Sequence, residues 1–163
     1  MKNYSFFVVF FSLFLQSIEA QCERLAPFQD GPDYHLNGSA TLSFLLDGTK
    51  TLSFDNSFDT ADGPDLHVYL SQSAIISTPS GVLQTPNTIE IGKLKSHFGA
   101  QTYDLTQIAS VENLDSYAYV IIHCKDFDHY WGTGTFGNQS GFDCANLSVT
   151  LTEDESVQLY PTI

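Results

Sequence analysis

A proline-containing turn followed by an alternating segment sets the start of one strand. Gly63-Pro64-Asp65 leads directly into a run of five residues whose side chains alternate between aliphatic and aromatic or polar. Because proline has a fixed φ and no N–H to donate, the strand begins at or after Asp65. Side chains of a strand point alternately to its two faces. One face therefore carries Leu66, Val68 and Leu70, and the other carries His67 and Tyr69.

Short alternating segments separated by turn residues continue along the chain. Residues 34–46 alternate with period two, which predicts a half-buried strand or a kinked pair of strands. Asp47-Gly48 predicts a tight hairpin turn before a returning strand over 50–54. Residues 117–125 form the longest β pattern, and residues 131–136 are predicted to close the sheet. These features predict an all-β single domain, either an antiparallel β-sandwich or a barrel.

The first twenty residues have the features of a secretory signal peptide. Lys2 precedes an apolar run that is too short to span a bilayer, and small or polar residues lead to a predicted cleavage site after Ala20. The mature β domain is then predicted over 21–152, with 22–33 as an irregular lead-in and 153–163 as an acidic tail or linker. This organisation predicts a secreted or cell-surface protein, passing through the periplasm in a bacterium, with no membrane span after signal removal.

The formal net charge is -13 at pH 7. A surface this acidic repels phosphate backbones and anionic membranes, so nucleic acid is excluded as a partner. The sequence contains no Gly-x-Ser-x-Gly or Walker motif and gives no reason to expect a stand-alone enzyme.

The chain contains three cysteines, Cys22, Cys124 and Cys144. In an oxidising compartment thiols tend to pair, and an odd number leaves at least one outside an internal bridge. Cys22 and Cys144 lie in polar segments near the two ends of the domain, whereas Cys124 lies inside a predicted strand. We therefore predict a Cys22–Cys144 disulfide and a free Cys124.

Four blocks of this sequence resemble the DM-thirteen domain, in the order of that family. They are residues 34–40, 63–71, the pair 92–95 and 99–105, and 121–127. The family occurs in Skeletor-type animal proteins, often beside a DOMON domain, and alone in exported bacterial proteins. The resemblance spans 28–136 and implies a β-rich electron-transfer module whose strand cysteine, here Cys124, has a redox role. One departure is Trp131-Gly132-Thr133-Gly134, where the family commonly has an aromatic-Gly-small-Ala pattern.

Cys124 has two interpretations. Alternation places it on one face with Ala118, Val120 and Ile122, and places Tyr117, Tyr119, Ile121 and His123 on the other. Apolar surroundings disfavour a thiolate and make a thiol inert, which favours a structural cysteine. The resemblance favours a redox or cofactor-ligating thiol. No Cys-x-x-Cys motif accompanies it, so a dithiol cycle needs a distant partner.

Two candidate ligand sets accompany the cysteine. His67 or His123 together with Cys124 is the best candidate for heme or copper, because imidazole and thiolate suit both metals. Ordinary semi-buried histidines are the alternative. Asp59, Asp62 and Asp65 form an oxygen-rich loop suited to calcium, and a plain turn held by Asp65 is the alternative.

Two hypotheses for function follow. The first is a secreted redox accessory module that uses Cys124 and exchanges electrons with an extracellular or periplasmic redox protein. The second is an extracellular binding or adhesion module for a surface ligand, stiffened by calcium, in which Cys124 is structural.

Overall fold

The computed structural model describes residues 20–73 and 87–141, and within them the regular structure consists of strands. No helix in this part of the chain is long and apolar enough to cross a membrane. The ten strands are β1 (Ala20–Asp30), β2 (Leu36–Asn37), β3 (Ser39–Leu45), β4 (Lys50–Phe54), β5 (Asp59–Thr60), β6 (Leu66–Ser71), β7 (Thr88–Lys93), β8 (Gln101–Asp104), β9 (Tyr119–Cys124) and β10 (His129–Thr135).

Eight strands form one sheet in the order β7-β6-β9-β10-β1-β3-β4-β8, and every neighbouring pair is antiparallel. The sheet curls into a nearly closed barrel whose two edge strands are β7 and β8. The Tyr103 side chain of β8 bridges this gap, since its hydroxyl accepts a hydrogen bond from the backbone N–H of Lys95, just after β7, at 3.2 Å. A small sheet of β2 and β5 lies beside it. The prediction of an all-β antiparallel single domain is confirmed.

The alternation predicted for the strand after Pro64 is confirmed. Leu66, Val68 and Leu70 lie in the interior cluster of apolar side chains, whereas Tyr69 belongs to a smaller cluster on the outer face. Strand β9 follows the same rule from Tyr119 onward, with its even-numbered residues inside. Tyr117 was predicted on the outer face, and this is wrong, because β9 begins only at Tyr119 and Tyr117 enters the interior before regular alternation starts.

The predicted period-two segment over 34–46 is a kinked pair, β2 and β3, with Gly38 between them. Gly38 has φ +91°, in the left-handed region that glycine adopts without strain. A Cβ at this position would lie 2.7 Å from the backbone of Phe58. The hairpin predicted at Asp47-Gly48 joins β3 to β4 as expected.

The predicted irregular lead-in over 22–33 is wrong. Most of it belongs to β1, an eleven-residue strand that pairs with β10 on one side and with β3 on the other. Cys22 is buried in β1. The predicted signal peptide before Ala20, the predicted tail and Cys144 lie outside the described residues, so the Cys22–Cys144 bridge stays a prediction.

The strand termini and the loops between them form the two ends of the barrel. One end, called here the Cys124 end, holds the C-terminus of β9, the start of β6 and the start of β10. The opposite end holds the Asp47-Gly48 hairpin turn and the segment after β8.

Candidate functional site

Cys124 is a free cysteine with a fully buried side chain at the last position of β9. Strand register places it opposite Leu66 of β6 and opposite His129 of β10. Its side chain belongs to the interior cluster, as the alternation predicted. The thiol is therefore shielded from water but lies one strand position from an end of the barrel.

His129 is the polar neighbour of Cys124 on the inner face of the sheet. Residues directly opposite in an antiparallel pair have Cβ atoms about 4.5–5.5 Å apart and project from the same face. His129 Nε2 lies 2.9 Å from Asp33 Oδ2. A carboxylate only accepts, so Nε2 carries the hydrogen and the neutral ring keeps Nδ1 as a proton acceptor.

Two stacked aromatic rings lie beside His129. The rings of Tyr34 and Trp131 have centroids 3.5 Å apart and planes within 7° of each other. The His129 ring meets both edge-on, at 5.4 Å from Tyr34 and 6.1 Å from Trp131. Trp131 is buried and its Nε1–H donates to the Ala61 carbonyl at 3.0 Å, whereas Tyr34 is half-buried. The aromatic group thus extends from the interior toward the surface at the Cys124 end.

The backbone of Gly31 holds this stack together. Its N–H points to two carbonyl oxygens, those of Tyr34 at 3.1 Å and Trp131 at 3.0 Å. A Cβ on Gly31 would lie 2.2 Å from the Trp131 oxygen, so only glycine fits. A register shift between Tyr130 and Gly132 leaves Trp131 in a bulge, and its side chain turns into the interior. This bulge occupies the stretch where the sequence departs from the family pattern.

The predicted ligand set of His67 or His123 with Cys124 is not assembled. His67 and His123 are cross-strand partners of β6 and β9, on the outer face of the sheet. Cys124 projects to the inner face. Both ring nitrogens of His67 are also engaged, Nδ1 with Glu90 at 2.6 Å and Nε2 with Asp65 at 3.1 Å. These residues therefore do not fit a heme or copper ion shared with the thiol.

His123 is a buried imidazole with unusual surroundings. Its side chain is 0% exposed and neither ring nitrogen has a hydrogen-bond partner. Nε2 lies 3.4 Å from Asp128 Oδ1, and Tyr69 meets the ring edge-on at 6.0 Å. Burial lowers the pKa of His123 because an imidazolium loses its hydration, and the nearby Asp128 carboxylate opposes that shift only in part.

This shift predicts a loss of stability in mild acid. The unfolded chain binds a proton at His123 near the ordinary pKa of 6.5, whereas the folded chain binds it only at lower pH. The contribution of His123 to the free energy of unfolding should therefore fall as pH drops below 6.5, by up to about 1.4 kcal/mol per pH unit. Urea unfolding of the native chain and of His123→Phe between pH 7.5 and 5 measures this contribution as the difference between the two slopes. Parallel slopes would contradict the assignment, and Asp128→Asn should steepen the native slope.

The three aspartates predicted to bind calcium have separate partners. Asp59 lies 3.0 Å from His35, Asp62 lies 3.1 Å from His97, and Asp65 lies 2.8 Å from Lys93. Residues 20–73 and 87–141 contain no group of three or more His, Cys, Asp or Glu side chains arranged to hold a metal ion. The Asp65 carboxylate binds the side chains of Lys93 and His67. Its pKa is lowered, first by the hydrogen bond from Lys93 and then by that from His67.

Sequence reasoning did not group Asp33, Tyr34, His129 and Trp131. Asp33 and His129 are 96 positions apart, and no spacing motif connects them. One sequence feature could have placed His129 near Cys124: His129 begins the strand that directly follows the strand carrying Cys124. A tight connection from β9 to β10 would have placed these two residues face to face.

Comparison with known proteins agrees with the sequence blocks described above. A search of curated proteins and a search of solved structures returned no match. The family model described as "Electron transfer DM13" matches residues 27–136, which is most of the chain and includes every residue of the site. The chain therefore belongs to the electron transfer DM13 family, the DM-thirteen family of the sequence analysis.

Proposed function

We propose that this protein is an exported electron-transfer module in which Cys124 is the redox group. The observation that carries this proposal is the placement of a free, fully buried thiol directly opposite His129 on the inner face of the sheet. The family description supplies the reaction class. The Tyr34–Trp131 stack supplies a contact path between the interior and the surface.

The oxidation step moves one electron and one proton. The Cys124 S–H bond breaks, the proton goes to Nδ1 of His129, and the electron passes through Trp131 and Tyr34 to an oxidised one-electron carrier protein outside. A sulfur-centred radical remains. In the reverse step a reduced carrier returns one electron, His129 returns the proton, and the S–H bond forms again. Asp33 compensates the charge of the His129 imidazolium while the radical persists.

The burial of Cys124 suits one-electron chemistry better than thiol exchange. Exchange needs an exposed thiolate that reaches a second sulfur. A sulfur enclosed by strands β6, β9 and β10 is protected from water and from other thiols. Electron transfer needs contact through intervening groups, and the aromatic stack provides it.

The test is photochemical oxidation of the purified full chain. A ruthenium(III) polypyridyl complex generated by a laser flash withdraws one electron, and transient absorption follows the aromatic radical. We expect this radical to form first and then to decay as the sulfur is oxidised, and freeze-quenched samples should give the EPR signal of a sulfur-centred radical. An EPR signal that stays on tyrosine or tryptophan would contradict the proposal.

A further inference from the structure

We infer that the Cys124 end of the barrel docks an electron-transfer protein that presents a ring of basic side chains. This inference rests on the proposed function, because it identifies the partner that would exchange electrons with Cys124. The docking surface is defined by two exposed phenylalanines, Phe98 and Phe127, and by the exposed carboxylates around them.

The two phenylalanines lie in separate loops of the same end. Phe98 follows β7 and is 72% exposed, and Phe127 lies in the β9–β10 turn and is 60% exposed. Large apolar side chains that remain exposed at one end of a compact domain do not contribute to its core, and they indicate a surface that contacts another molecule. Both phenylalanines are linked through intervening residues to a third aromatic residue, Tyr34.

The link from each phenylalanine to Tyr34 runs through intervening residues. The backbone of Phe98 pairs with Asp59, whose carboxylate binds His35, the residue next to Tyr34. On the other side, Phe127 is two residues before His129, whose ring contacts that of Tyr34. A protein resting on both phenylalanines would therefore cover the point where the aromatic stack comes nearest to solvent.

Charge at this end selects the kind of partner. Carboxylates here are well exposed, with side-chain accessibilities of 60% for Asp33 and 83% for Asp62. Two of the nearby lysines are already paired, Lys93 with Asp65 and Lys125 with Glu90. The further exposed carboxylates are Asp59 and Asp126, Asp128 is half-buried, and the further lysine is Lys95.

Negative charge therefore exceeds positive charge at this end when the histidines are neutral. A basic ring on the partner would be attracted in a salt-dependent way, and the apolar centre would hold the complex briefly. A small apolar contact within a charged rim is the usual form of transient redox encounters, which bury less than about 1,200 Å².

A lysine-rich c-type cytochrome serves as the basic probe. Titration of the full chain, followed by amide chemical shifts, should show binding that weakens about tenfold between low and physiological ionic strength, when the Debye length falls to about 8 Å. The double variants Phe98→Ala/Phe127→Ala and Asp62→Asn/Asp126→Asn should each weaken binding by a comparable factor.

Matched controls come from the opposite end of the barrel. Leu46 is 77% exposed there, and Leu46→Ala removes a similar apolar group. Asp47→Asn/Glu112→Gln removes two charges and should leave binding unchanged. Equal losses from the two ends, or no salt-dependent binding at all, would overturn the docking inference.

The two proposals fail separately. Cys124→Ser should bind the cytochrome as the native chain does, because the sulfur is buried away from the docking surface. If the cytochrome binds at this end but photo-oxidation never reaches Cys124, the redox role falls and the docking surface stands. If Cys124 is oxidised but variants at this end leave binding unchanged, the docking surface alone falls.

Discussion

Replacing Cys124 with serine is expected to abolish the decay of the aromatic radical into the interior while the domain remains folded. A serine hydroxyl has nearly the same shape as the thiol, but it is much harder to oxidise by one electron. The photogenerated radical on Trp131 or Tyr34 would then persist until it reacts with solvent components. The lifetime of the transient absorption signal measures the effect directly.

The same substitution has a separate and smaller effect on stability. A hydroxyl at this fully buried position loses its hydration and gains at most one hydrogen bond, to His129 Nδ1, so Cys124→Ser should lose about 1 kcal/mol and unfold at lower urea concentration. Cys124→Ala, which buries no polar group, should abolish the radical decay equally and lose less stability. If both variants abolish the radical decay but differ in their free energy of unfolding, the loss of decay comes from the missing sulfur and not from altered packing.

Ile122→Val is the matched control on the same strand and the same face. It removes one buried methylene and should cost about 0.5–1.5 kcal/mol, as for other Ile-to-Val changes in protein cores. Its radical decay should match that of the native chain. If Cys124→Ser and Ile122→Val both leave the decay unchanged, the cysteine is structural.

The sequence predicted those elements in which local chemistry and burial agree. Pro64 fixes where β6 begins, and the alternation that follows it sorts Leu66 and Val68 inward without help from the rest of the chain. Asp47-Gly48 fixes a hairpin for the same reason, because Gly48 takes the left-handed conformation, with φ +86°, that the turn requires. The inward orientation of Cys124 followed from the same alternation in β9.

The candidate site could not be predicted in the same way, because its parts meet only through non-local pairing. Tyr34 stacks on Trp131, which lies far from it in the sequence. Gly31 connects the two residues through its backbone N–H, and a pattern of side chains gives no sign of such a bond. Alternation along β6 and β9 already places His67 and His123 on the face of the sheet opposite to Cys124. Chemical type alone groups these histidines with the thiol.

Strand β1 was missed because of one residue. Cys22, Ala26 and Phe28 alternate inward as a strand requires, but Arg24 occupies an inward position between them and breaks the apolar pattern. Its register partner is Leu42, which is fully buried. A buried arginine conflicts with simple hydrophobic patterning, so its hydrogen bonds must explain why it is there.

Arg24→Leu is expected to destabilise the fold by about 3–5 kcal/mol, out of a total of about 5–15 kcal/mol for a domain of this kind. The guanidinium donates to four backbone carbonyls, those of Gly137 at 2.8 Å, Leu114 at 3.1 Å, Tyr117 at 2.9 Å and Phe136 at 3.1 Å. These carbonyls belong to two segments, one before β9 and one after β10. Leucine fills part of the volume but leaves acceptors on both segments unpaired.

The comparison with Asp115 shows whether hydrogen bonding or charge pairing is responsible. Asp115 lies 3.4 Å from Arg24 Nη1, but its own side chain is 67% exposed. An exposed ion pair contributes about 0–1 kcal/mol, so Asp115→Asn should leave the urea midpoint nearly unchanged. Arg24→Lys keeps the charge without the planar fork of donors and should fall between the two. If Arg24→Leu and Asp115→Asn gave equally small losses, the guanidinium would not be what joins β1 to the segments on either side of the β9–β10 hairpin.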